Sequence, residues 1–435
     1  GANRGFEYYG LADSRLRFFG GTTNIWGGRC ALLDPIDFEH RDWVPHSGWP
    51  VGFAELEPWY RIAHAELALD DFDYCPGPWR AITPEAPDFS PLSLAVGLWR
   101  FDEVTERFAH ARMQELLTHP LLSVCLHANL VHVQVRREGE GIDCLHVRSL
   151  GGALRELRAK HYVLACGGIE NARLLLAARD VESAGIGNRY DQVGRYFMEH
   201  PHGRVGRITG PNAYRLWAAF RKRYPAGTVP IAPVLRLADA EQRARAALNS
   251  AVTFKLQRDP GRGEPLAQQL YQHLKHTLDP TEGGRRAHHL FRALRKWVHL
   301  HVRDGLERAR AAAGITGLQV IVRGEQAPDP ESRVLLSGER DALGVPRADL
   351  DWRLGALDRH TVCVLGDVLD EELRRLGLGA LEPADWLGSG DARWPVDGTI
   401  GNHPIGGYHH IGTTRMSAAP AEGVVDADCR VHGYR

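Results

Sequence analysis

The sequence predicts an α/β class combined with α+β, the α/β portion being assembled from separated stretches of one chain. Three observations predict it. An antiparallel meander runs from Leu122 to Ala165, with glycine turns about every ten residues. Its last short apolar strand passes through a glycine pair into the helical run Glu170–Ala177, a geometry suited to anionic ligands. Further on, helix-like stretches alternate with a second strand-rich region over residues 317–355.

The elements follow in order. Residues 1–45 hold the glycine-rich stretch Phe19–Gly28 between apolar segments. Apolar spacing predicts helices over Glu55–Leu67 and Val104–Leu117. The meander comprises Leu122–Leu126, Leu130–Val135, Cys144–Val147, Leu154–Leu157 and Tyr162–Ala165, with turns at Glu138–Gly141 and Gly151-Gly152. Residues 236–312 read as mostly helical and rich in Arg and His. Strand alternation returns over 317–355, with turns at Asp329-Pro330 and Leu343-Gly344, and a helix pair is expected over Asp358–Leu376.

Composition narrows the function classes. A chain of 435 residues spans two to three domains, and 43% hydrophobic with 25% charged residues excludes a disordered or fibrous protein. Lys and Arg number 53 against 54 Asp and Glu, so the net charge of −1 gives nucleic-acid binding no support. No apolar run approaches the roughly 20 residues of a membrane span. Seven scattered Cys without a C-x-x-C pair argue against a disulfide framework or a zinc ribbon, so no metal is expected and a reducing cytoplasm is the default. Neither Gly1 nor Arg435 resembles a natural terminus, and the chain reads as an internal segment of a longer protein.

Three motifs carry chemistry. In Gly20–Gly28, five positions separate the glycine pairs Gly20-Gly21 and Gly27-Gly28. Those glycines allow a backbone to approach a flat ligand, with Thr22, Thr23 and Asn24 offering hydrogen bonds and Trp26 a wall. The competing reading is a tight loop around a buried Trp. In Val163–Gly168, Ala165, Gly167 and Gly168 lead into a helix whose free N–H groups suit a phosphate or ribose edge. An ordinary strand-to-helix turn, with Glu170 complementing the helix dipole, is the plainer account. In Tyr408–Thr413, His409 and His410 point to opposite faces if extended, so only one can serve a given site as base.

Other signals are weaker. The pairs His273/His276, His288/His289 and His299/His301 have helix-surface spacing and are not read as metal ligands. The basic segment 285–310 aligns Phe291, Leu294, Val298 and Val302 on one face. It reads first as a solvated amphipathic helix and second as a membrane or partner contact. No G-x-G-x-x-G occurs, which argues against a self-contained dinucleotide fold unless its first strand lies upstream.

Together these segments resemble the glucose–methanol–choline (GMC) family of flavin-dependent oxidoreductases, and within it the bacterial sugar and polyol dehydrogenase branch. The resemblance rests on Arg15–Gly28, Asp34–Phe38, Trp43–Pro50, Val163–Leu176, Val193–Pro201, Ser332–Leu336, and His409–Met416 with Val424–Asp426, in the family's order. It implies an incomplete FAD-binding Rossmann-like domain with a β-meander (1–45, 119–195 and 396–435). A substrate domain with an antiparallel sheet and helices (46–118 and 196–395) would complete it. Gly20, Gly21, Thr23, Asn24, Trp26, Gly27 and Gly28 would run along the flavin, Leu130 would meet the adenine, and Ala165, Gly167 and Gly168 would lie near the adenosine.

His409, not His410, would be the catalytic histidine. Ile25 stands where some members attach FAD through a histidine, so non-covalent FAD is implied. The implied activity is oxidation of an alcohol (a sugar, a polyol or another CH–OH donor) to a carbonyl. A quinone or cytochrome is the implied electron acceptor. Oxidase and dehydrogenase behaviour remain equally open, and the alternative is a truncated, non-catalytic flavoprotein-like scaffold unable to hold FAD.

Overall fold

The computed structural model describes residues 1–256 and 317–434, apart from 105–106, 111, 137–140, 211, 390–392 and 401–402. Within 257–316 it describes 287, 290, 291, 293, 294, 297, 298, 305 and 309, all helical.

Twelve strands form three antiparallel sheets among the described residues. They are β1 (Arg29–Cys30), β2 (Leu94–Phe101), β3 (Asn129–Val135), β4 (Ile142–Arg148), β5 (Leu154–Leu157), β6 (His202–Thr209), β7 (Ile231–Leu237), β8 (Ala251–Leu256), β9 (Leu318–Arg323), β10 (Arg333–Arg340), β11 (Pro346–Asp351) and β12 (Ala380–Pro383). The largest sheet has the order β1-β2-β7-β8-β9-β6-β12, β3-β4-β5 is the meander, and β10-β11 is a hairpin.

The large sheet buries one face against two helices, Ala213–Phe220 and Ala356–Arg375. Along the longer helix Val362, Leu365, Val368, Leu369 and Leu373 recur at spacings of three and four and meet Val205, Val320 and Val322 of the sheet in one apolar cluster. Gly366 belongs to the same stripe, because a Cβ there would sit 3.3 Å from Val205 Cγ1. The helix starts where Asp358 Oδ2 accepts the Gly355 N–H at 2.6 Å and ends in Gly377 at φ 62°. The expected helix pair over Asp358–Leu376 is therefore one helix, since every turn of it finds the same apolar surface.

A second core gathers Val133 and Val135 of the meander, Ile169, Leu175 and Leu176 of the helix Gly168–Ala177, and Val334, Leu350 and Trp352 around the hairpin. Residues 328–354 thus pack with the meander and its following helix, although the sequence reading grouped them with 196–395. Phe6 and Leu354 pack against both cores.

Three further expectations fail for identifiable reasons. Leu122–Leu126 and Tyr162–Ala165 form no strand. Leu122, Val124, Leu126 and Val163 are exposed, Val163 at 87%, while Leu164 packs on the second core, and neither stretch pairs with a partner strand among the described residues. A strand requires a partner as well as a pattern. Over Val104–Leu117 only Gln114–Leu117 is helical among the described residues. Upstream, Asp102 accepts the Val104 N–H at 2.8 Å and binds Arg107 through both oxygens, which holds the chain in a loop. The pairs His273/His276, His288/His289 and His299/His301 lie outside the described residues. In segment 285–310, Leu290, Leu294, Trp297 and Val298 are exposed. No described helix is long and apolar enough to cross a membrane.

Candidate active site

Glu199 organises the site. It is 2% exposed, and its carboxylate accepts the Tyr8 hydroxyl at 2.7 Å, the His200 N–H at 2.8 Å and the His409 N–H at 2.9 and 3.0 Å. A buried charge needs such an arrangement of donors to remain in place. The chain brings the partners together by pairing Met198 with Ile411, whose N–H groups and carbonyls bond reciprocally at 3.0 and 3.1 Å. Gly412 makes the approach possible. Its φ is 95°, and a Cβ would stand 1.8 Å from the Tyr196 carbonyl.

The two adjacent histidines separate as strand alternation requires. His410 Nε2 lies 2.6 Å from the Tyr8 hydroxyl. That hydroxyl donates its single proton to Glu199, so its oxygen accepts from His410 Nε2–H, and this assignment of the tautomer follows from the partners. His410 is committed to structure. His409 is held through its backbone, while its ring meets His200 edge to face at 5.2 Å between centroids and remains solvent-accessible. Burial, then the His200 charge, lowers the His409 imidazole from its ordinary range to about 4, against an opposing pull from Glu199.

Arg29, directly after the glycine loop, carries a charge that also acts on His409. Gly20 and Gly21 have positive φ, and a Cβ at Gly20 would lie 2.6 Å from the Phe108 carbonyl. Thr22 Oγ1 accepts the Leu16 N–H at 3.2 Å, Thr23 Oγ1 donates to the Gly20 carbonyl, and Asn24 Nδ2 donates to the Phe19 and Gly21 carbonyls at 3.0 Å each. Those polar groups stabilise the loop itself. Trp26 Nε1 is buried with no partner, and Gly27 has open space where a side chain would stand.

The other glycine turn adjoins the same segment. A Cβ at Gly168 would lie 3.0 Å from the His410 carbonyl oxygen, and Thr413 Oγ1 donates to the Gly168 carbonyl. Glu170 pairs with Arg15 at 3.2 Å, Arg17 at 3.0 Å and Arg173 at 2.6 Å, which ties the approach to the glycine loop onto this helix. Ala165 and Gly167 are exposed, Gly167 with φ 86° and nothing near its Cα. Asn171 clamps the turn by accepting the Cys166 N–H and donating to the Leu164 carbonyl, both at 2.9 Å. Leu130 lies in β3 opposite Val147.

Residues 328–435 match the family model described as GMC oxidoreductase. That match covers the C-terminal quarter of the chain, and curated relatives align over nearly all of it. The fructose dehydrogenase large subunit of Gluconobacter japonicus is 23% identical over 96% of this chain and 74% of its own length. Paromamine 6'-oxidase of Streptomyces fradiae is 24% identical over 95% of this chain and 71% of its own length. A crystal structure of formate oxidase aligns at TM-score 0.32 and 14% identity, covering 71% of this chain and 54% of that one. The chain thus spans about half the length of the solved formate oxidase.

Sequence reasoning had singled out His409 and the glycines, but missed Glu199, Tyr8, Arg29 and Arg323. Glu199-His-Pro-His202 concentrates titratable groups beside a proline and was the one available signal for Glu199. Away from this site, Cys144, His146 and Glu156 bring ligand-type atoms within 4.8 Å on the meander, where Glu156 also pairs with Arg158 at 3.2 Å.

Proposed function

We propose that this GMC chain provides the catalytic histidine and flavin-facing wall for FAD-dependent oxidation of an alcohol, such as a sugar or polyol, to a carbonyl. The observation that carries the reading is His409: an accessible imidazole, kept neutral, on a backbone held by Glu199 and within the field of Arg29 at the end of the glycine loop. The residues fit a flat, anionic dinucleotide. Trp26 Nε1 lacks a partner, Gly27 and Gly167 leave the backbone open to close approach, and the ten-residue helix at Gly168 starts without a side-chain cap. When bound non-covalently, the flavin supplies the two-electron acceptor for the hydrogen on the alcohol carbon.

His409 accepts the hydroxyl proton, which a neutral imidazole can do and an imidazolium cannot. Glu199 fixes the His409 backbone, so the ring need not reorganise during reaction. The electrons leave to a quinone or cytochrome, in keeping with a relative whose name makes it one subunit of an assembly.

The test is reduction of an artificial dye by a panel of sugars and polyols, with FAD supplied and no nicotinamide. Sugar-dependent dye reduction that disappears in His409→Ala, with flavin binding intact, is the expected result. A protein that takes up no flavin would instead favour the non-catalytic scaffold.

A further inference from the structure

Two guanidinium groups that meet Trp99 and act on His409 have no carboxylate partner among the described residues. Arg29, at the start of edge strand β1, places its Cζ 4.2 Å from the ring centroid of Trp99 and 5.9 Å from that of Phe101. Arg323, on β9, has its Cζ 5.8 Å from the same Trp99 centroid. Sharing one indole, the two guanidinium carbons lie no more than about 10 Å apart.

Their neighbours supply no negative charge. Arg323 Nη1 lies 2.6 Å from His202 Nε2, while His202 Nδ1 donates to the His403 carbonyl at 2.7 Å. His202 is therefore a neutral acceptor, and burial, then Arg323, keeps its pKa well below the usual histidine range. Arg323 Nε is buried with no partner at all. Burial lowers Arg29 to about 10 and Arg323 to about 9, and Arg29 contributes to the latter shift. Like Arg29, Arg323 acts on His409.

Arg41 and Arg173, both buried, pair with Glu325 and Glu170, and buried Arg100 donates to the Leu69 and Asp73 carbonyls. Arg323 is half-buried and Arg29 exposed, and the two cations share Trp99 with no anion between them, for which a face of Trp99 compensates only in part. Such an arrangement persists where a ligand brings the missing charge.

We propose that the substrate carries a carboxylate or phosphate group, which binds between Arg29 and Arg323 beside Trp99. Bidentate guanidinium hydrogen bonds suit either oxyanion. The substrate class becomes an acidic polyhydroxy compound, namely a sugar acid or a sugar phosphate. This rests on the proposed alcohol oxidation only in placing a substrate hydroxyl at His409; the anion subsite stands on the arginines.

Direct binding separates the two claims. The full chain with FAD is titrated calorimetrically with glucuronate, glucuronate methyl ester, glucose 6-phosphate and glucose, at low and high salt. At least one acid is expected to bind about tenfold or more tightly than glucose and the neutral ester, with weakening by salt. The better of the two acids identifies the oxyanion. Arg29→Gln and Arg323→Gln should each remove about tenfold of that preference.

Arg29 is accessible, so Arg29→Gln tests the subsite even if Arg323→Gln misfolds. Equal binding of all four compounds, binding of neither acid, or an unchanged acid preference in folded Arg29→Gln overturns the proposal. Selective acid binding without dye reduction by any sugar would remove the oxidation reading and leave the subsite standing.

Discussion

His409 and His410 are neighbours in sequence, yet only one has a free ring. His409→Ala should lower dye-reduction turnover by about 10²–10⁴-fold while flavin content stays constant. Its depressed pKa sets the pH profile. Falling pH protonates the base, so lowering its pKa from 6.5 to about 4 moves the acid limb of kcat/KM to about pH 4. A limb near 6.5 would show that the imidazole is not desolvated in the working enzyme.

Glu199→Ala would leave the Tyr8 hydroxyl and the N–H groups of His200 and His409 without their acceptor. A loss of at least about 3 kcal/mol in urea unfolding is expected, together with lost turnover. His409 was legible because its sequence context resembles a known motif. Glu199 was not, because a carboxylate's partners come from Tyr8 and from segments some 200 residues downstream, and no local pattern records them.

At the scale of elements, glycine positions carry the site. Gly28 has φ 66°, and a Cβ there would stand 1.8 Å from the Asp102 carbonyl, next to the Asp102 N–H bond to Gly28 that joins β1 to β2. Gly28→Ala should cost about 1–3 kcal/mol from the backbone conformation alone, measured by chemical unfolding. It should also displace Arg29 and weaken acid binding in the same calorimetric titration.

The strands Leu130–Val135, Cys144–Val147 and Leu154–Leu157 were legible from alternation and turn glycines, and the structure extends them by at most three residues at an end. The helix after Gly167 was legible from the same signals. Leu122–Leu126 and Tyr162–Ala165 were misread because alternation records which side chains are apolar, and says nothing of whether a neighbouring strand is there to accept hydrogen bonds.

For the whole molecule, the near-balance of charge has a colloidal consequence. With 53 basic and 54 acidic residues the chain has almost no net repulsion at neutral pH. Light scattering should show the strongest self-association near pH 7. It should fall toward pH 6 as the 22 histidines begin to protonate, and toward alkaline pH as net negative charge grows.

Sequence alone determined the periodic elements and the glycine turns, because these depend on spacing along a few residues. Tertiary structure alone decided that 328–354 packs with the meander, that Glu199 holds the site, and that Arg29 on β1 and Arg323 on β9 converge on Trp99 of β2. Sheet order sets those meetings, and the order β1-β2-β7-β8-β9 joins strands nearly 300 residues apart in the chain. Long-range pairing of that kind is fixed by packing and closure of the core, for which no local stretch of sequence carries the information.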